Sequence, residues 1–273
     1  MTRMALIHIE NVSVAYGSPS RPVLSNVDLS IEEGEFVCLL GQTGCGKSTL
    51  LRLVLGSECP AAGRVLIDGV ERRQPDRTCG FVPQKYPLFP DKTVLGNITF
   101  GPEVNEFNLL ACLTPRYFRR RRQFRQEAMG YIRRLGLRDA DAGKYPEQLS
   151  GGMQQRVAIA QALINKPRIL LLDEAFSALD PGTRKDMQRL IRQLWRDTGI
   201  TVLFVTHNTQ EALYLSSRVI VLAKEAPDQG SRVALELSVP EVCPEVQIST
   251  LVTRLDFASG CARQPDDAAF ATA

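Results

Sequence analysis

Short, unbroken apolar runs are the first regularity along this chain. Phe36–Leu40, Ile169–Leu172 and Val202–Val205 carry no polar alternation, as strands buried on both faces do. With weaker signals, strands are predicted over Phe36–Leu40, Arg64–Ile67, Gly80–Pro83, Ile169–Asp173, Val202–Thr206 and Val219–Leu222. Helical spacing of apolar positions runs over 47–55, 121–136, 150–165, 183–197 and 208–215. Strands alternating with helices predict an α/β core. From about Pro87 to Leu149 β-branched runs are few, and the pattern is mostly helical and Arg-rich. That stretch reads as a helical subdomain inserted into the core. The main domain is expected over 5–225 and an extension over 226–273. In the extension Pro227, Asp228 and Gly230 mark a turn, and Val233, Leu235, Leu237 and Val239 alternate as one more strand. Beyond about Asp256 the small, polar composition predicts a loose tail. No internal repeat is visible.

Composition narrows the class. The 273 residues are 44% hydrophobic, as in a globular protein. A net charge of +3 is too weak to argue for a nucleic-acid partner, which calls for a concentrated basic face. No run approaches the roughly 20 apolar residues of a membrane helix. Met1 to Glu10 lacks the basic segment and apolar core of a secretory signal. The chain is therefore expected to stay in the cytoplasm. Its seven cysteines, at 38, 45, 59, 79, 112, 243 and 261, form no CxxC pair and are expected as reduced thiols.

Candidate chemistry begins at Gly41-Gln-Thr-Gly-Cys-Gly-Lys-Ser48, which fits the phosphate loop GxxxxGK[ST] between a strand and a helix. Gly41, Gly44 and Gly46 let the backbone curl so that its N–H groups face phosphates at a helix N-terminus. Gln42, Thr43, Cys45 and Thr49 complete the candidate nucleotide-binding set. Lys47 is expected at the β- and γ-phosphates, and Ser48 at Mg²⁺. Ile169-Leu-Leu-Leu-Asp-Glu174 is an apolar strand ending in two carboxylates. Asp173 is the candidate metal ligand and Glu174 the candidate general base. His207 follows a strand 34 residues beyond Asp173, whereas His8 has no such support and reads as incidental.

Leu149-Ser-Gly-Gly-Met-Gln-Gln-Arg156 precedes Asp173 by 17 residues. Ser150 can cap a helix, and Gly151 and Gly152 permit close backbone approach, which makes a second anion-binding helix end. Here the chain resembles the ATP-binding-cassette family, whose signature LSGGQ it matches except for Met153 at the last position. The resemblance covers about residues 5 to 225. It implies an α/β P-loop NTPase (RecA-like) core with an antiparallel β subdomain and an inserted helical signature subdomain. It also implies ATP and Mg²⁺ as ligands, and a head-to-tail dimer in which Ser150, Gly151 and Gly152 face the nucleotide held by the second copy. Gln84 resembles the glutamine that senses Mg²⁺ and water and passes the nucleotide state to the membrane partner. Ser177-Ala-Leu-Asp180 resembles the loop that crosses the dimer interface, and His207 the switch histidine at the γ-phosphate. Tyr16, 25 residues before Gly41, resembles the aromatic residue that stacks on adenine; a core or surface tyrosine is the alternative.

A single cassette without a membrane span implies separate permease subunits. The run Pro87-Leu-Phe-Pro-Asp-Lys-Thr-Val-Leu-Gly-Asn resembles the nitrate, sulfonate and taurine importer ATPases, which also work with an extracytoplasmic solute-binding protein. An exporter cassette and a soluble cassette protein are the alternatives. Tyr86, Leu88 and Phe89 are candidate permease contacts, or simply subdomain packing. Arg116, Arg119, Arg120, Arg121, Arg122 and Arg125 form a basic run. It reads as a solvated helical face, or as a contact for anionic headgroups or an acidic permease loop.

Overall fold

The computed structural model describes residues 5–85, 88–106, 114–224, 226, 228–240 and 245–259. The chain divides into two compact units, Met1–Pro75 with Thr201–Ala273, and Asp76–Ile200.

The first unit holds two groups of strands. β1 (Ala5–Tyr16), β2 (Arg21–Glu32), β4 (Ala62–Ile67) and β5 (Val70–Glu71) make an antiparallel sheet in the order β2-β1-β4-β5. β3 (Phe36–Leu40) lies between β8 (Thr201–Val205) and β9 (Arg218–Ala223), parallel to both, and β10 (Arg232–Ser238) pairs antiparallel with β9. Every residue of β3 and β8 is buried, which accounts for their unbroken apolar sequence. Phe36 and Phe204 meet edge to face with ring centroids 6.5 Å apart, and truncating either buried ring costs about 3–5 kcal/mol. Arg218, at the start of β9, bonds Glu35 at 3.2 Å and Glu236 of β10 at 2.7 Å, which fixes the edge strand's register. The helices here are α1 (Lys47–Leu55), α6 (Thr209–Leu215) and α7 (Glu245–Ala258). The expected strand after residue 230 is present as β10. A helix that was not expected, α7, follows it and runs into the start of the expected tail, and residues 260–273 lie outside the described residues.

In the second unit β6 (Cys79–Val82) pairs parallel with β7 (Ile169–Asp173). Around them are α2 (Val94–Glu106), α3 (Pro115–Arg134), α4 (Gly151–Leu163) and α5 (Pro181–Thr198). This unit extends beyond the 87–149 segment read as helical. α3 starts six residues before its expected start because Thr114 accepts a hydrogen bond from the Tyr117 amide and Pro115 occupies the first turn. Asn97 is fully buried on α2, and its side chain fastens the preceding loop. Its amide donates to the carbonyls of Phe89 (3.1 Å), Lys92 (3.0 Å) and Thr93 (3.1 Å), and its oxygen accepts from the Phe89 N–H at 2.7 Å. Near the start of the α3–α4 connection Asp141, 2% exposed, accepts from the Arg138 N–H and pairs with Lys144 at 2.7 Å. Lys144 and the Arg138 amide hold its carboxyl well below the usual carboxylate range.

Candidate functional site

In the first unit the loop leaves β3 at Gly41, where the backbone runs against β9. A Cβ there would lie 2.4 Å from the Leu222 carbonyl oxygen, so no larger residue fits. The loop closes onto α1 through Gly46, in the left-handed region at φ 94°. Gly46 offers no side-chain cap, and the first turn of α1 has no acidic residue. The amides at this helix end are thus not capped by a side chain, which suits an anion. Lys47, 4% exposed, lies along the loop and donates to the carbonyls of Gly41 (2.7 Å) and Gln42 (2.8 Å). Those two charge-assisted bonds hold the loop's curl. Gln42, Thr43 and Gly44 are exposed, Cys45 and Thr49 buried and Ser48 half-buried. Burial pushes the Cys45 thiol's pKa up, against the opposing pull of Lys47.

A cavity of about 400 Å³ opens beside the loop. It is lined by Gln42 to Cys45, by Leu222 to Lys224, and by Ala258 and Ser259 at the end of α7. The contribution of α7 was not legible beforehand. His207 is exposed in the turn between β8 and α6, and its neighbours fix that turn. Buried Thr206 donates to Glu211 and accepts from the Asn208 N–H, while Asn208 caps α6 through the Glu211 N–H at 3.0 Å. Thr209 then bonds Asp256 of α7, tying this turn to the C-terminal helix. Tyr16, at the end of β1, is 41% exposed, and its hydroxyl meets Glu58, Arg52 and Thr49. The Arg52–Glu58 pair at 3.0 Å completes this latch, which leaves the phenol anchored by its tip.

In the second unit β7 delivers Asp173, half-buried, and then Glu174 at φ 44°. A left-handed backbone at a glutamate is strained, of order 1 kcal/mol, and must be held by its surroundings. Ser177 holds it, its N–H and hydroxyl donating to the Glu174 carbonyl at 3.1 and 2.9 Å. Fully buried Gln155 of α4 adds a bond to the Ala175 carbonyl at 2.7 Å. Gln84 reaches the same place from the end of β6: its amide donates to the Glu174 carboxylate at 3.2 Å and lies 3.5 Å from the Ser177 hydroxyl. Two residues 90 positions apart thus meet. Ser150 caps α4 by accepting from the Met153 N–H. Gly151 faces open space, and a Cβ on Gly152 would lie 2.4 Å from Thr183 Cγ2 of α5. The Asp180 carboxylate caps α5, accepting from the Gly182 and Thr183 amides at 3.1 and 3.0 Å. The Thr183 side chain and these amides lower its pKa. Leu88 is half-buried and Phe89 36% exposed, while Tyr86 lies outside the described residues.

Among the described residues no three His, Cys, Asp or Glu side chains cluster as a ready-made metal site. In the first unit the Ser48 hydroxyl, and in the second the Asp173 carboxylate and the Gln84 amide oxygen, are each hard oxygen donors. They suit Mg²⁺, an ion commonly held by one or two carboxylates together with substrate phosphates.

A glycine-capped phosphate loop with a buried lysine, on a parallel strand, defines a phosphate-loop nucleotide-binding fold. The family described as ABC transporter matches residues 24–177. An aliphatic sulfonates import ATP-binding protein of Zymomonas mobilis is 40% identical over 225 residues, 82% of this chain and 83% of that protein. An uncharacterized ABC transporter ATP-binding protein of Methanocaldococcus jannaschii is 44% identical over 199 residues, 73% of this chain and 70% of that protein. A spermidine/putrescine import ATP-binding protein of Haemophilus ducreyi is 37% identical over 94% of this chain and 68% of its own. Among solved structures, a dimeric ATP-binding cassette in a post-hydrolysis state, bound to ADP and Pi, superposes with a TM-score of 0.71. It is 32% identical, and the match covers 86% of this chain and all of that one. The chain belongs to the ABC transporter family. It is an ATP-binding subunit of such a transporter and an ATPase.

Proposed function

We propose that this subunit hydrolyses ATP to drive import of a small solute, of the nitrate, sulfonate or taurine type, through separate permease subunits. The observation that carries the nucleotide half is the phosphate loop: helix-end amides without a side-chain cap, beside a buried lysine. The loop from Gly41 to Thr49 cradles the phosphates, and Lys47 exchanges its loop carbonyls for the β- and γ-phosphate oxygens. Ser48, Asp173 and Gln84 are the residues that would hold Mg²⁺, which would supply charge neutralisation at the phosphates. Glu174 takes a proton from the attacking water, with Gln84 steering its carboxylate, and His207 contacts the γ-phosphate. Tyr16 stacks on adenine. Two copies of the chain pair head to tail, so that Ser150, Gly151 and Gly152 of each face the nucleotide bound by the other and Asp180 lies at their interface. The dimeric ADP-and-Pi form of the similar cassette supports this pairing.

The import direction rests on the similar import proteins for sulfonates, sulfate/thiosulfate and polyamines. Their named cargoes include both anions and a polycation, so resemblance among cassettes follows the motor more closely than the load. The subunit works peripherally at the cytoplasmic face; no helix among its described residues is long and apolar enough to cross a membrane. Purification of the intact complex tests this. A permease and an extracytoplasmic solute-binding protein should accompany the chain. A permease without a binding protein, paired with outward transport, would overturn import.

A further inference from the structure

α3 divides its arginines between two faces. Arg120 and Arg121 turn toward α2, pairing with Glu106 at 2.7 Å and Glu103 at 3.4 Å. They also lie over the rings of Phe124 and Tyr117. Those two cations are used by the fold. Arg116, Arg119, Arg122 and Arg125 are exposed, and none forms an ion pair among the described residues. At about 100° per residue Arg119 and Arg122 fall opposite the α2 contact, while Arg116 and Arg125 lie at its margins, Arg116 near enough to Glu106 to help lower its carboxyl's pKa. Phe118 lies on the same side as Arg119 and Arg122 and is 62% exposed. From Pro115 to Gln126 there is no acidic residue to neutralise this face.

We infer that this outer face of α3 binds the anionic headgroup surface of the membrane that carries the permease. This rests on the reading of the chain as a transporter subunit. Three observations select lipid. The face is purely cationic, complementary to a surface of like anions. It spans about 13 Å of helix, a row of contacts and not a pocket. Its one large apolar side chain, Phe118, projects among the arginines, as aromatic rings do at headgroup level. α3 is moreover ion-paired to α2, which closely follows the candidate permease contacts Leu88 and Phe89. Membrane contact at this face would hold those residues near their partner between encounters.

Sedimentation of the full chain with vesicles tests this, using phosphatidylcholine alone or mixed with phosphatidylglycerol. Binding should rise steeply with the phosphatidylglycerol fraction and disappear in 0.5 M salt, where screening is strong. Each arginine near an anionic surface contributes about fivefold in partition. Replacing Arg116, Arg119, Arg122 and Arg125 by Gln should therefore weaken binding at least about tenfold, with ATPase activity kept. A control replacing four exposed cations elsewhere, Arg64, Arg73, Lys166 and Arg189, should bind like the parent. Equal losses in both variants, or equal binding to phosphatidylcholine, would overturn the proposal. So would absent vesicle binding combined with weaker permease co-purification in the α3 variant, which would make an acidic permease segment the partner. Wild-type dependence on phosphatidylglycerol decides the matter even if a variant misfolds. Glu174→Gln should bind vesicles like the parent, so failure of the ATPase reading and failure of this one are separable.

Discussion

Replacing Asn97 by Ala should loosen the loop from Phe89 to Thr93 that precedes α2, and the size of the effect follows from four hydrogen bonds. The side chain is fully buried and contacts three carbonyls and one N–H at 2.7 to 3.1 Å. A net hydrogen bond contributes about 0.5–1.5 kcal/mol, and leaving buried partners unsatisfied adds to the loss. Some of those partners regain water once the loop moves, so the expected destabilisation is about 3–5 kcal/mol. Urea unfolding followed by a probe in the second unit measures it as a lower midpoint. Hydrogen exchange localises it, because the Phe89 N–H should lose its protection. Asn97→Asp sharpens the argument: it keeps an acceptor for Phe89 but sets a carboxylate against three carbonyls, and should destabilise at least as much as Ala. A loss below about 1 kcal/mol in the Ala variant, or a wild-type midpoint in the Asp variant, would refute the reasoning.

Two further substitutions address the loop and the helical unit. Gly46→Ala forces a Cβ onto a residue at φ 94° and to within 2.7 Å of Leu24 Cδ2. Strain of about 1–2 kcal/mol is relieved by turning the loop amides away, so ATP affinity by calorimetry should fall roughly tenfold; unchanged affinity would mean that the loop tolerates this residue. Asp141→Asn should destabilise the protein at neutral pH. The folded carboxyl titrates below its unfolded counterpart, so its stabilisation is complete above the unfolded pKa of about 4 and disappears as pH falls through the folded value. The difference between variant and parent should therefore shrink in acid, and a difference that grows would contradict the assignment.

How much of this was legible in the sequence depends on how local each cause is. β3, β7 and β8 were readable because burial on both faces leaves each with an unbroken apolar run of four or five residues. β1 was not, since its pairing register shifts between Ile9 and Val12, and Asn11 there takes a left-handed backbone at φ 50°. Such a bulge breaks the period of two on which strand recognition depends. α7 was hidden by Ile248, Thr250, Val252 and Thr253, β-branched residues that lean toward strand. At the site, the glycines and Lys47 were legible because the loop's chemistry is contiguous. The family resemblance gave Gln84 a role at Mg²⁺ and water, but its contact with Glu174, 90 positions away, left no signal in the sequence. Asn97 and the lining at Ala258 and Ser259 gave no signal, because their importance lies in neighbours that the fold supplies.

If Glu174 is the base in ATP hydrolysis, its replacement should separate binding from turnover. The direct measurement is steady-state phosphate release by Glu174→Gln beside its ATP affinity. Affinity should be kept, phosphate release should fall at least about a hundredfold, the low end for loss of a general base, and an ATP-bound dimer should accumulate. An unchanged rate of phosphate release would contradict that role.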